Sequence, residues 1–356
     1  MQLIHYDRRS FKKIPLALLI MLSIFSLIIA GCQNTASGDA LSTAILPAEQ
    51  ITEAVSVQAT EPSQPAETSS AATSEPYSTP TELPADYWKE LPVVPTEISD
   101  RVREIYQTGQ EMGRNPRRFT KVGDCNSQHP DFLSGFDHVY YLGPYTSLQP
   151  AIDYFKGSFG ILSQTTNPGM NTARVLSYLW KTEDCPSTDT LLECQYRIDN
   201  PSFVIIMLGT NDGYYHQANP ESFERNMRTI IERSIELGIV PILATKVDNN
   251  EGDHSINPLI AQLATEYEIP LWNFWRAAQP LYNGGLRDHE HLNSGSGPPA
   301  TDFRMEISMS YGKEMKNLTA LQVLDFMMRQ LADPETIPTQ SQASTIELTL
   351  EPTHEP

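Results

Sequence analysis

Three short stretches hold the residue types that acyl chemistry uses. Residues 121–127 read KVGDCNS and put Cys125 directly after Gly123 and Asp124. Residues 209–212 read GTND, and residues 287–293 read RDHEHLN, with Asp288 three positions before His291. Acyl transfer needs a nucleophile, a base within hydrogen-bond reach of it, and a group that orients the base. A carboxylate and an imidazole three residues apart can share one side of a single backbone turn, so Asp288 can fix the tautomer of His291. For Cys125 three roles stay open: a nucleophile at a strand-to-loop turn, half of a disulfide, or an inert thiol.

Regular elements must position these stretches. Three apolar runs, Phe203–Leu208, Ile239–Ala244 and Ile269–Phe274, and a weaker one, Phe119–Val122, predict parallel strands, because continuous apolar runs suit strands covered on both faces. Apolar residues at helical spacing predict helices over Glu221–Leu237, stopped by Gly238, over Ile256–Tyr267 and over Leu318–Leu331. The alternation predicts an α/β fold, a doubly wound parallel sheet in a three-layer α/β/α sandwich. Sites in such sheets lie beyond the carboxyl ends of the strands. Each expected strand is followed by a polar stretch: GDCNS, GTND, KVDNNEGDH, and a long loop that reaches RDHEHLN.

The N-terminus bears on the compartment. Arg8, Arg9, Lys12 and Lys13 precede an apolar run from Ile14 to Ala30, the order of a secretory signal. The run ends LIIAGC, which resembles a bacterial lipobox. That resemblance implies a signal peptide over 1–31 and a diacylated Cys32 at the mature N-terminus; the alternative is an uncleaved signal anchor. Residues 32–86 are rich in Ala, Ser, Thr, Glu and Pro and predict a disordered stalk, since they bury too little apolar area to offset the entropy of ordering. Residues 333–356 have the same character. The folded part is expected over 87–332, enough for one core. The chain carries a net charge of −19, and its first 31 residues hold four basic residues and one acidic, so their removal leaves −22. This excess argues against nucleic acid and against a basic membrane-binding patch, so membrane attachment is expected through the N-terminus, by the lipid anchor or, in the alternative, by the uncleaved signal.

The three stretches together, in this order, resemble the blocks of the GDSL-type, or SGNH, hydrolases. The first block is Gly123-Asp124-Cys125, the third is Gly209-Thr210-Asn211-Asp212, and the last is Asp288-His289-Glu290-His291 followed by Leu292-Asn293. The second block matches Asn167-Pro168-Gly169. The resemblance implies catalytic roles for Cys125, Asp288 and His291. It implies an oxyanion hole from the amides of Cys125 and Gly169 and the side chain of Asn211, with no metal or organic cofactor. It implies hydrolysis or transfer of an acyl group from an O-acylated carbohydrate or a lipid ester. The family carries serine where this chain has Cys125. A thiol there favours thioesters or acyl transfer, or marks a binding protein that has lost its nucleophile; Ser127 is a conceivable substitute.

Cys32 apart, three cysteines remain. Cys185 and Cys194 flank the short loop DCPSTDTLLEC and are the expected disulfide, whereas pairing of Cys125 with either would block its thiol. Asp253, His254 and His289 are loop polar groups or, joined to His291, a metal site. Trp272 and Trp275 are core residues or the floor of a sugar site. Asp248, Asn249 and Asn250 are expected to form a turn.

Overall fold

The computed structural model describes residue 84, residues 86–295, residue 297 and residues 299–339. The expected signal peptide, Cys32, nearly all of the stalk and the tail beyond 339 lie outside the described residues. Among the described residues no helix is long and apolar enough to cross a membrane.

Four parallel strands lie side by side in sequence order: β1 (Asn115–Gly123), β2 (Pro201–Met207), β3 (Val240–Ala244) and β4 (Leu271–Trp272). Every residue of β2 and β3 is buried, the environment their continuous apolar runs predict. β1 is longer than its weak apolar signal, because its first half is polar and partly exposed while Phe119 to Gly123 are buried. β4 is shorter than expected. Asn273 leaves the strand, and its side chain accepts the Arg276 amide and caps the next helix.

The register aligns the strand ends. Gly123 pairs with Met207, Ile206 with Leu243, and Ala244 with Trp272, so the carboxyl ends form one row. On the free side of β1, the Gly123 amide donates to Thr165 O at 3.0 Å and Gly123 O accepts from the Asn167 amide at 3.3 Å. This is a rudimentary parallel strand reduced to one bridge, Gly123 to Thr166. The chain therefore leaves β1 to one side and returns past it to β2. The sheet is doubly wound, and its switch point is the end of β1, where open α/β sheets form their ligand crevice.

Ten α-helices accompany the sheet among the described residues: α1 (Tyr87–Glu90), α2 (Asp100–Glu111), α3 (Gln149–Tyr154), α4 (Thr172–Val175), α5 (Leu191–Asp199), α6 (Thr210–His216), α7 (Pro220–Glu236), α8 (Ile256–Glu266), α9 (Phe274–Ala278) and α10 (Gly312–Leu331). Two groups of them form the outer layers. In one, α5 and α7 are tied by Tyr196 Oη to Ser234 Oγ at 2.7 Å and by Arg233 to Glu193 at 2.7 Å. In the other, Ser99, the N-cap of α2, donates to Glu268 O just past α8 at 2.6 Å, and Arg103 of α2 donates to Gln330 O of α10 at 3.3 Å. The helix expected over Leu318–Leu331 begins six residues earlier, at Gly312. The stretch that sequence periodicity missed is polar yet buried: Glu314, Lys316 and Asn317 are all at most 1% exposed.

Helix α2 approaches the turn before β3 closely. A Cβ on Gly109 would stand 2.0 Å from Gly238 O, a backbone atom that cannot swing aside. Gly109→Ala is expected to cost about 1–3 kcal/mol, the range for overpacking a tight contact, read as a lower urea midpoint with an unchanged slope. A variant as stable as the parent would show that the helix does not lie this close.

Candidate active site

The turn after β1 is built by Asp124. Its buried carboxylate accepts the Asn126 amide at 2.9 Å and caps one 3-10 turn, Cys125–Ser127. Cys125, half-buried, is a free thiol. Cys185 and Cys194 are bonded to each other across 5.5 Å between their Cα atoms, so the local pairing is the one that forms. Ser127 is buried under the turn, where it accepts from Lys316 Nζ at 3.2 Å. It is thus less accessible than the half-buried Cys125.

The loop with Asp288 and His291 is wrapped around its own carboxylate. Asp288 Oδ1 accepts the amides of Glu290 at 3.0 Å and His291 at 2.7 Å. The two carboxylate oxygens lie 3.1 and 3.0 Å from His291 Nδ1. These amides, reinforced by the imidazole, hold the Asp288 carboxyl well below the usual carboxylate range. With Nδ1 directed at Asp288, Nε2 is the ring's other face, and it stands 3.4 Å from Glu290 Oε1. Cys125 Sγ, a Glu290 carboxylate oxygen and a His291 ring nitrogen all lie within 4.8 Å of one another.

Asn126 joins the two loops. Its Nδ2 donates to Glu290 O at 2.7 Å, and its Oδ1 accepts the Leu292 amide at 3.1 Å. One side chain thus grips the backbone on both sides of His291. From below, Lys316 Nζ donates to Asn126 O at 2.7 Å. Burial pushes the Lys316 ammonium down to about 8, against the pull of Asp124 and Cys125. Nothing in the sequence marked Asn126, and Lys316 fell outside the periodic part of its helix.

The expected oxyanion donors converge less completely. Gly209 turns the chain from β2 into α6 with φ +122, a conformation that suits glycine. Asn211 follows in the first turn of α6, and its Nδ2 donates to Met170 O at 3.0 Å. One of the two amide hydrogens of Asn211 is therefore spent on holding the segment of the second block, and the other remains available. Gly169 is exposed, and its amide meets no protein acceptor among the described residues. Asp212 braces the segment by accepting Thr172 Oγ1 at 2.6 Å and the Thr172 amide at 3.1 Å. Asp248 is more than a turn former: it is buried, ion-paired with Lys246 at 2.8 Å, and accepts Thr210 Oγ1 at 2.7 Å.

Around Cys125 the charge is mostly negative. Burial, then the carboxylates of Asp124 and Glu290, push the thiol up to about 12; Lys316 and the Asn126 amide act in the opposite sense. Glu290 itself is held on its outer side by Tyr214 Oη at 2.7 Å and Asn250 Nδ2 at 3.2 Å. Its carboxylate pushes the Tyr214 hydroxyl up to about 12. His289 is exposed beside Tyr214, with Nε2 at 3.4 Å from the hydroxyl. Asp253 accepts from its own loop at Ser255, and the His254 amide donates to Asn249; neither joins His291. Trp272 is core, stacked on Phe132 with its N–H on Thr319, and Trp275 packs edge-on against Trp88 at 4.7 Å. A different tryptophan is open to solvent: Trp180, 70% exposed, lies over Arg174, whose guanidinium also reaches Pro168 O at 3.5 Å.

No family model and no curated protein matches the chain. Among solved structures it is similar to Axe2, an acetylxylan esterase from Geobacillus stearothermophilus, at 15% identity over 58% of this chain and 93% of that one, with a TM-score of 0.36. It is also similar to an S10A acetyl esterase mutant with acetate ion, at 15% identity over 59% of this chain and 99% of that one, with a TM-score of 0.38. Likeness at this level assigns neither family nor activity.

Two measurements check the site. Asn126→Ala strands the buried Leu292 amide and frees the Glu290 carbonyl, so it is expected to cost about 1–3 kcal/mol in urea unfolding; a loss under about 0.5 kcal/mol would remove the clamp from the account. The thiol shift predicts slow alkylation of Cys125 at neutral pH, because only the thiolate reacts. The rate should climb about tenfold per pH unit from 7 to 10. A rate already level at neutral pH would reveal a preformed thiolate.

Proposed function

We propose that this chain is an SGNH-type hydrolase or acyltransferase that cleaves acyl esters or thioesters with Cys125 as nucleophile, acting outside the cell from a lipid anchor on Cys32. The observation that carries the reading is the line from Asp288 through His291 to the sulfur of Cys125 at the switch point of the sheet. Export is supported by the basic-then-apolar N-terminus and by the Cys185–Cys194 disulfide, which belongs to an oxidising compartment.

The chemistry runs by general-base attack rather than through a standing ion pair, since burial and then the neighbouring carboxylates disfavour a free thiolate. His291 Nε2 takes the thiol proton as sulfur bonds to the acyl carbon. The imidazolium that forms lies between the carboxylates of Asp288 and Glu290, which stabilise its charge. The oxyanion takes the amides of Cys125 and Gly169 and the remaining hydrogen of Asn211. Collapse of the intermediate breaks the carbon–oxygen bond of the ester, and His291 returns its proton to the departing alkoxide. Water, deprotonated by the same nitrogen, then cleaves the thioester, or a second alcohol takes the acyl group.

Carbohydrate is the leaving group we favour. Trp180 offers an open aromatic face beside the loop with Gly169, and the disulfide fixes that segment to α5. Aromatic faces with wet edges suit sugar rings. A second reading, a binding protein without turnover, draws on the raised thiol and on the engagement of Asn211 with Met170.

Hydrolysis of 4-nitrophenyl acetate, an acetyl thioester and an O-acetylated polysaccharide tests the proposal. Cys125→Ala and His291→Ala should abolish turnover, Cys125→Ser should keep or raise ester cleavage, and Asp288→Asn should cost up to ~10⁴-fold. Trp180→Ala should raise KM for the polysaccharide and leave the small ester unchanged. A parent as inert as Cys125→Ala on all three substrates, with the polysaccharide still bound, would favour the binding protein.

A further inference from the structure

Glu290 is not required by an acyl-transfer site, and its placement opposite the base is unusual chemistry. Nδ1 of His291 faces Asp288, so in the neutral tautomer with its proton on Nδ1 the Nε2 lone pair points away from that carboxylate. That lone pair meets a carboxylate oxygen at 3.4 Å, and the sulfur of Cys125 completes a triangle no wider than 4.8 Å. Donors this close are bridged either by the thiol's own proton or by a metal cation that displaces it, and nitrogen, oxygen and sulfur together make a set that a metal can take.

We propose that Cys125, Glu290 and His291 form a three-ligand site for a borderline-soft divalent cation of the Zn²⁺ class, with the fourth position open to the cleft. The donor set selects the ion. Thiolate and imidazole disfavour Mg²⁺ and Ca²⁺, which take oxygen. Tetrahedral zinc, with bonds of about 2.0–2.3 Å, puts its donors roughly 3.3–3.8 Å apart. The nitrogen–oxygen pair, 3.4 Å apart, already has that spacing, and the sulfur lies within 4.8 Å of both ligands.

The supports of a metal site are also present. His291 carries the carboxylate on its far nitrogen that orients metal-binding histidines. Glu290 Oε2 is occupied by Tyr214 and Asn250, which leaves Oε1 for the metal. The backbone around both ligands is fixed by Asn126. Glu290 and His291 are 18% and 35% exposed at their side chains, so an ion can enter.

Binding would release the thiol proton to solvent and occupy both Sγ and Nε2. A loaded site therefore has neither nucleophile nor base, and metal and thiol chemistry exclude each other. This control rests on the hydrolase proposed above; the site itself does not.

The test is a Co²⁺ titration of the full chain in detergent, stripped with a chelator and dialysed. One equivalent should give tetrahedral cobalt absorption and a thiolate-to-cobalt charge-transfer band, both displaced by Zn²⁺ and untouched by excess Mg²⁺ or Ca²⁺. Cys125→Ser should remove the charge-transfer band, and the isosteric Glu290→Gln should weaken binding at least tenfold, each with native circular dichroism. Asp302→Asn, at a surface pair with Arg304, is the control and should change nothing. Absence of the band at stoichiometric Co²⁺, or unchanged affinity in Glu290→Gln, would overturn the site. Hydrolysis is assayed separately: chelated enzyme should turn over and Zn²⁺ should stop it reversibly. Cobalt binding without any hydrolysis in chelator would sink the hydrolase reading alone, and hydrolysis indifferent to saturating Zn²⁺ would sink the exclusion.

Discussion

One asparagine side chain decides whether the chemistry has a place to happen. Cys125 sits on a turn at the end of β1 and His291 on a loop 166 residues later, and no strand or helix contains both. Asn126 spans them with one donated and one accepted hydrogen bond to the backbone on either side of His291. A rigid amide that uses both ends fixes distance and twist together. The approach of sulfur, imidazole and carboxylate depends on that grip.

The grip is itself supported from beneath. The first two turns of α10 enter the fold carrying polar side chains, and each finds a loop. Lys313 pairs with Asp131 at 2.6 Å, Lys316 reaches Asn126 O, and Asn317 receives the Leu133 amide at 2.6 Å while donating to Asp131 O at 2.9 Å. Loops at the carboxyl edge of a sheet have backbone groups that a purely apolar helix would leave unsatisfied. A buried ammonium is costly in isolation. Here it is satisfied by oxygen atoms and by the ring of Phe132 at 4.4 Å, and it braces the turn that carries Cys125.

The parts of this architecture that the sequence reveals are those made by burial on a regular period. β2 and β3 read as continuous apolar runs because both faces are covered, and α7 and α8 read through their one-sided spacing. β4 read too long, because the capping role of Asn273 competes with strand propensity. The beginning of α10 was illegible for the opposite reason: its residues are buried but polar, and periodicity counts only apolar ones. In the site, the order Gly-Asp-Cys, Gly-Thr-Asn-Asp and Asp-x-x-His was enough to place three loops along one edge. Asn126 and Glu290 were not legible, since a contact across more than 160 positions leaves no local pattern. Of the two readings open for Trp272, core packing is the one the structure shows, whereas Trp180, which follows no apolar period, is open to solvent.

In the proposed reaction a raised thiol in an acidic setting is workable because base and sulfur are close, so that proton transfer and attack coincide. That reaction passes through a covalent acyl-enzyme. The direct measurement is peptide mass spectrometry of the metal-free chain, acid-quenched during turnover of an activated acetyl ester or thioester. One acetyl group is expected on the peptide containing Cys125, absent in His291→Ala and discharged on standing in water. Turnover with no adduct there, or an adduct on Ser127 instead, would contradict it.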